Sequence, residues 1–258
     1  MFDTTYFVCF LWGARYPSFY VDRLYRSNSM YFTHSFEFHC LTDKKLSLPT
    51  SIHQHELKMG RPFLGNWNKE RVFSKGFLGI PDGANIVVMD VDVLVTGSLD
   101  FIITEHPHDK LVMAPDGNKT RIGLGHGSVF RVKAGSLPHV WDDLLAEDYK
   151  KLKIDLSGES EQRWLDRCYP KGQTTLFANG QVVSYKYHCK AKGSFLFGKR
   201  AASWGLGIST SMWSKAELPR GASVVCFHGN PDLEEVAEGR CGRWKHAPFI
   251  SETLKKIS

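Results

Sequence analysis

No apolar run in the 258 residues approaches the length of a membrane-crossing helix, so no transmembrane segment is expected. The first twenty positions also lack the basic start, apolar middle and small-residue cleavage site of a secretory signal, which makes a soluble, cytoplasmic protein the expectation. The six cysteines, Cys9, Cys40, Cys168, Cys189, Cys226 and Cys241, are scattered and form no Cys-x-x-Cys pair, which argues against a zinc site or a disulfide framework. Several follow apolar residues in strand-like runs, the setting of reduced core thiols. With no internal repeat, low-complexity tract or evident linker, a single domain over residues 1–258 is the default. The formal charge of +6 is not gathered into a basic block or an aromatic-interleaved stripe, so nucleic acid is not an expected partner. The charge itself favours anionic partners without choosing among them.

What the chain does have is the composition of a globular protein, 42% apolar and 23% charged, and enough length to bury a sizeable core. Tyr6 to Leu11 reads as a buried strand that empties into Trp12 and Gly13. Ser18 is placed to cap a helix with its apolar face at Phe19, Tyr20, Val21, Leu24 and Tyr25. Phe36, Phe38, Cys40 and Leu41 then form a second strand. Further strands are expected at Ile86 to Met89, Leu111 to Ala114, Ser128 to Val132, Val182 to Tyr185 and Ser223 to Phe227, with helices at Leu137 to Glu147 and Glu159 to Cys168. Alternating strands and helices predict an α/β fold with a mainly parallel central sheet flanked by helices. Lys190 to Arg220 has the composition of a loop.

The sharpest local signal is Asp90-Val91-Asp92, directly after the apolar run Ile86 to Met89. Fifteen aspartates in a chain of this length produce about one Asp-x-Asp by chance, so context decides its weight. Here the pair ends a buried strand, and in open α/β sheets ligands bind at the carboxyl ends of strands. Two carboxylates there call for a counter-charge. A divalent cation shared with an anionic, phosphate-bearing substrate supplies one, and hard oxygen ligands suit magnesium or manganese.

Separate segments then fall into one order. Trp12, Gly13 and Tyr16 follow the first strand; WNKERVF occupies 67–73; the Asp-x-Asp strand end follows; then come GSVFR at 127–131, EQRWL at 161–165 and CFHGNP at 226–231. This ordered set resembles the GT-A type nucleotide-sugar glycosyltransferases, and within them the glycogenin-like and related bacterial and viral enzymes, over roughly residues 6 to 235. The resemblance implies a single GT-A (Rossmann-like) domain, with a nucleotide-binding half, residues 1–100, and an acceptor-binding half, residues 101–258. It implies Asp90, Asp92 and His228 as ligands of Mn2+ or Mg2+, and Tyr16 as a stacking partner for the base. Lys69, with Arg71 as second choice, would meet phosphate; Gly127 and Ser128 would line the sugar and acceptor pocket, and Gly229 lies in the His-Gly segment beside the metal. Glu161 and Gln162 stand where the family has Asp-Gln, facing the reacting carbon of the sugar. The activity implied is metal-dependent transfer of a sugar from a nucleotide-sugar donor, a UDP-sugar first of all, to a carbohydrate, protein or lipid-linked acceptor hydroxyl, with retention of configuration.

One position departs from the pattern. Where the family places a lysine or arginine after its His-Gly-x-Pro segment, this chain has Asp232; Arg240, Arg243 and Lys245 downstream are candidates to replace that cation. A catalytically weak or inactive sugar-nucleotide or carbohydrate-binding protein is therefore an alternative. A haloacid dehalogenase-type phosphohydrolase is another, since DVDVLV fits its motif, although that motif normally lies near the start of a chain.

Overall fold

The structure, a computed structural model, describes residues 4–58, 65–147, 161–189, 215–241 and 246–257. Its elements are, in chain order, β1 (Thr5–Leu11), α1 (Phe19–Tyr31), β2 (Phe36–Thr42), β3 (Ile52–Glu56), a 3-10 segment (Gly65–Phe73), β4 (Asn85–Met89), β5 (Leu94–Val95) and α2 (Phe101–Thr104). There follow β6 (Leu111–Pro115), β7 (Gly125–Lys133), α3 (Pro138–Ala146), α4 (Glu161–Cys168), β8 (Thr175–Leu176), β9 (Val182–Ser184), α5 (Tyr185–His188), β10 (Val224–Cys226), α6 (Leu233–Ala237) and α7 (Pro248–Ile257). The chain divides into two compact units, Met1–Val91 with Ser98–Asn179, and Asp92–Gly97 with Gly180–Ser258.

The larger unit carries a seven-stranded sheet in the order β3-β2-β1-β4-β7-β6-β8. β1 pairs in parallel with β2 and β4, and β2 with β3; β7 alone runs against its neighbours β4 and β6. This is the expected α/β architecture, with a mainly parallel central sheet flanked by helices. β1 and β4 read as unbroken apolar runs because both sheet faces are covered. Val8, Phe10, Ile86 and Val88 point into a core with Trp67, Phe73, Phe130, Val140, Leu144, Trp164 and Leu165. By the two-residue period of a strand, Phe7, Val87 and Met89 project from the other face, where Phe7 meets Phe32 edge-on and Asn28 of α1 reaches the Met89 sulfur.

The smaller unit has a three-stranded sheet, β5-β10-β9, antiparallel between β5 and β10 and parallel between β10 and β9. Its core gathers Leu94, Val183, Val225, Phe227, Leu233, Val236, Ile250 and Ile257. Among the described residues, no helix is long and apolar enough to cross a membrane. None of the six cysteines is in a disulfide, and all but Cys168 are buried.

Some local expectations shift. α1 starts where expected, but Ser18 itself has helical angles and makes no side-chain cap bond; the backbone carbonyls of Pro17 and Ser18 receive the first N–H groups. WNKERVF forms the tighter 3-10 segment, and Tyr185 opens a short helix instead of ending a strand. Most of Lys190 to Arg220 lies outside the described residues, as do Glu159, Arg243 and Lys245.

Candidate functional site

The apolar run of β4 drives that strand through the sheet centre and delivers Asp90 at its carboxyl end. The Asp90 N–H donates to the Ser128 carbonyl at 2.9 Å, so pairing with β7 continues one residue past the strand. Because β7 is antiparallel, Gly127 and Ser128, at its beginning, lie beside that carboxyl end.

Lys69 arrives from the 3-10 segment, in which Trp67, Asn68, Lys69 and Glu70 are all buried. Its ammonium lies 2.5 Å from Asp90 Oδ1 and 3.5 Å from Glu161 Oε1, and donates to the Gly127 carbonyl at 3.3 Å. Lys69 and Glu161 are each 4% exposed, so this ion cluster is shielded from water and its charges are tightly felt. In the structure the Lys69 ammonium meets the carboxylates of Asp90 and Glu161. A Cβ at Gly127 would stand 3.4 Å from Glu161 Oε1, in contact with the carboxylate. Among the described residues, Glu161 Oε2 is a buried acceptor without a hydrogen-bond partner. Glu161 is thus not solvated; it lies in the expected helix, described from Glu161 to Cys168.

Glu70, which the sequence reading passed over, is 1% exposed with both carboxyl oxygens lacking a hydrogen-bond partner. Burial, and next the charge of Glu161, push its carboxyl well above the usual range, with Lys69 pulling the other way.

Gln162, next on α4, donates through Nε2 to Asp116 Oδ2 at 2.8 Å and to the Gly125 carbonyl at 3.0 Å. Asp116 lies just beyond β6, held by Arg121 Nε at 2.7 Å and by the Asn118 N–H at 2.8 Å. The other end of Arg121 reaches Asp166 Oδ2 at 2.7 Å. Asp116, Arg121 and Asp166 were not singled out from sequence.

Two other candidates sit in local structure of their own. Tyr16 is half-buried, 4.9 Å from the Tyr20 ring with the Arg15 guanidinium 5.0 Å from its centroid. Its loop is pinned where Gly13 N–H meets Asp43 Oδ2 at 3.0 Å and Lys44 meets the Gly13 carbonyl. Arg71 donates to Asn68 Oδ1 at 3.2 Å and the Lys58 carbonyl at 3.0 Å, and lies over Trp141, bonds that stitch the 3-10 segment into the fold.

In the smaller unit, Asp92 precedes β5 and His228 follows β10, both partly exposed. The Lys186 ammonium donates to the His228 carbonyl, and lies 4.0 Å from where a Cβ of Gly229 would stand. Gly229 has φ +62°, which favours glycine. The Tyr187 and His228 rings are 6.5 Å apart. Asp232 now has a structural reason: it caps α6, accepting from Glu235 N–H at 3.0 Å while the Glu235 carboxylate accepts from the Asp232 N–H at 2.9 Å. Arg240 is exposed and paired with Glu238 at 2.5 Å. Among the described residues, no three His, Cys, Asp or Glu side chains are grouped so as to hold a metal ion.

No protein-family model matches the chain, and no curated protein matches it. Solved structures do. A crystal structure of the glycosyltransferase GlyE from Streptococcus pneumoniae TIGR4 aligns over 98% of this chain with a TM-score of 0.55 at 12% identity. The apo-form of the same enzyme gives 0.54 at 13% identity, again over 98% of this chain. The fold is a glycosyltransferase fold. The chain spans 60% of the length of those two chains, and at such identity the likeness concerns the fold.

Proposed function

We propose that this glycosyltransferase fold is of the GT-A type, glycogenin-like, and that it transfers a sugar from a nucleotide-sugar donor, a UDP-sugar first of all, to an acceptor hydroxyl with retention. The observation that carries this reading is the cluster at the carboxyl end of β4, where buried Lys69 and Glu161 meet the partly exposed Asp90, with Glu161 Oε2 left unsatisfied. A carboxylate kept from water beside a cation suits it to face the positive charge that grows on a sugar carbon as its glycosidic bond loosens. Lys69 holds that carboxylate in place while Gly127 leaves it room.

Asp90, Asp92 and His228 fit a divalent cation in kind, two carboxylates and an imidazole, a set suited to manganese or magnesium. These are the residues that would hold it. When bound, the ion supplies Lewis-acid stabilisation of a departing diphosphate. Lys186 is the described cation next to the His228-Gly229 segment, and takes the place left by Asp232 as the side chain that meets phosphate. Tyr16 contributes a ring on which the base stacks, and Ser128 a small side chain beside the sugar.

Release of nucleoside diphosphate from a panel of UDP-, GDP- and CMP-sugars, with Mn2+ or Mg2+, tests the reading. Turnover of at least one donor, lost in Glu161→Ala and Asp92→Ala, is expected. An absence of release from every donor with either metal overturns it.

A further inference from the structure

The Gln162 carboxamide is held in one of its two possible orientations, and the residue that holds it lies behind the site. An amide has two N–H donors and one carbonyl acceptor of nearly the same shape, so the surrounding bonds decide which end points where. Both N–H groups are committed, one to Asp116 Oδ2 at 2.8 Å and one to the Gly125 carbonyl at 3.0 Å. A flipped amide would press its oxygen against a carboxylate and a carbonyl at once. The end left over is Oε1, an acceptor.

The carboxylate that sets this choice is itself set. Asp116 Oδ2 accepts from Arg121 Nε at 2.7 Å, and its Oδ1 from the Asn118 N–H at 2.8 Å, so its plane is fixed on both sides. The far end of Arg121 binds Asp166, which is one helical turn after Gln162 and therefore on the same face of α4. One guanidinium thus ties the end of β6 to that face at two points. The side-chain surfaces involved are small, 18% exposed for Arg121, 6% for Asp116 and 19% for Asp166, so the bonds are sheltered from competing water.

We propose that Arg121 is a positioning residue which, through Asp116, fixes the Gln162 carboxamide so that the site presents its oxygen to a hydroxyl of the sugar substrate. This rests on the transferase reading above for the identity of the substrate, but the positioning itself does not. Replacing Arg121 frees Asp116 to rotate and the amide to turn, which weakens the productive pose more than donor affinity.

The test is a double-mutant cycle on the full chain, read by nucleoside diphosphate release, with side-chain amide NMR as an arm that needs no turnover. Arg121→Met should lower kcat about tenfold to a hundredfold, as misplacement of a site group does, with donor KM within about twofold. In a Gln162→Ala background the same substitution should change kcat by less than about twofold, because Arg121 acts through that amide. Arg121→Lys, which can keep one ion pair, should recover part of the loss. Equal losses in both backgrounds overturn the proposal in favour of a general structural role. In the 15N-1H spectrum, the signal pair that disappears in Gln162→Ala should show two hydrogen-bonded, slowly exchanging protons and lose that protection in Arg121→Met. If no donor is turned over, the transferase reading fails while the NMR arm still decides; Gln162 protons unchanged by Arg121→Met overturn the positioning.

Discussion

The ammonium of Lys69 lies 2.5 Å from Oδ1 of Asp90, and the same ammonium is 3.5 Å from Glu161. One buried cation therefore balances the first aspartate of the Asp-x-Asp pair and the carboxylate that follows on α4. Removing it leaves two acids facing each other with nothing between. Lys69→Met should destabilise the fold by about 3 kcal/mol, the low end for breaking a buried pair because Asp90 retains some solvent contact. Urea unfolding measures this, and a loss below about 1 kcal/mol would mean that the cluster is far better hydrated than its burial indicates.

Lys186 sits on the His228 carbonyl beside Gly229. If its ammonium meets the donor phosphates, Lys186→Met should raise donor KM about tenfold, near the value of one charge-assisted contact, with a smaller effect on kcat. Its binding of UDP should also lose part of the salt dependence seen in the wild type. An unchanged KM would return the cation role to residues further along the chain.

Arg131 in β7 is fully buried and spends its guanidinium on backbone carbonyls, Ile102 at 2.7 Å, Glu105 at 2.9 Å and His106 at 2.5 Å. Ile102 lies in α2, whose last carbonyls the helix cannot satisfy itself, and Glu105 and His106 follow its end. Arg131→Met should cost about 2 kcal/mol, since the buried Ile102 carbonyl loses its donor and the half-buried Glu105 carbonyl loses the guanidinium with it, while the His106 carbonyl keeps the Asp109 N–H. Thermal unfolding would register this as a clear fall in Tm.

Acid should loosen the edge formed by β2 and β3. His39 is buried against His55, with ring nitrogens 2.9 Å apart, and stacks on His53, while Tyr6 and Glu37 also face it. Burial first, then the charges of His55 and His53, lower its pKa from 6.5 to about 4. The native ring is neutral where the unfolded one takes up a proton, so its contribution is complete above pH 6.5 and is lost as pH falls toward 4. The stability difference between wild type and His39→Gln should shrink across that window in urea titrations. A difference independent of pH would show that Glu37 keeps the ring charged.

Much of the sheet was legible because burial on both faces writes itself as unbroken apolar runs, as in Tyr6 to Leu11 and Ile86 to Met89. β3 was not, since Ile-His-Gln-His-Glu at a sheet edge has one apolar residue and a partner on one side only. β5 and β8, of two residues each, are too short for any period to register. In the site, Asp90 stood out as a carboxylate ending an apolar run, while Glu161 and Gln162 were reached through the place of EQRWL in the ordered set of segments that carries the resemblance. Glu70 and Arg131 could not, because charged residues are almost always exposed and sequence alone does not reveal their buried partners. Asp116, Arg121 and Asp166 are spread over 51 positions and become one network only when β6 and α4 are folded together.

The reversed direction of β7 separates two rims of the same strand pair. At one rim Ser128 and Asp90 close the ladder; at the other, Ala134 and Ala84 do, with Gly135 at φ +66° so close to Asp82 that a Cβ would stand 2.2 Å from its carboxylate. The two rims answer to different assays. Gly135→Ala should reduce the amount of folded protein while each surviving molecule keeps its kinetic constants, whereas a larger residue at the buried Ser128 should alter the constants of the molecules that do fold. A variant library of this strand pair would therefore sort, by position along nine residues, into changes that set abundance and changes that set chemistry.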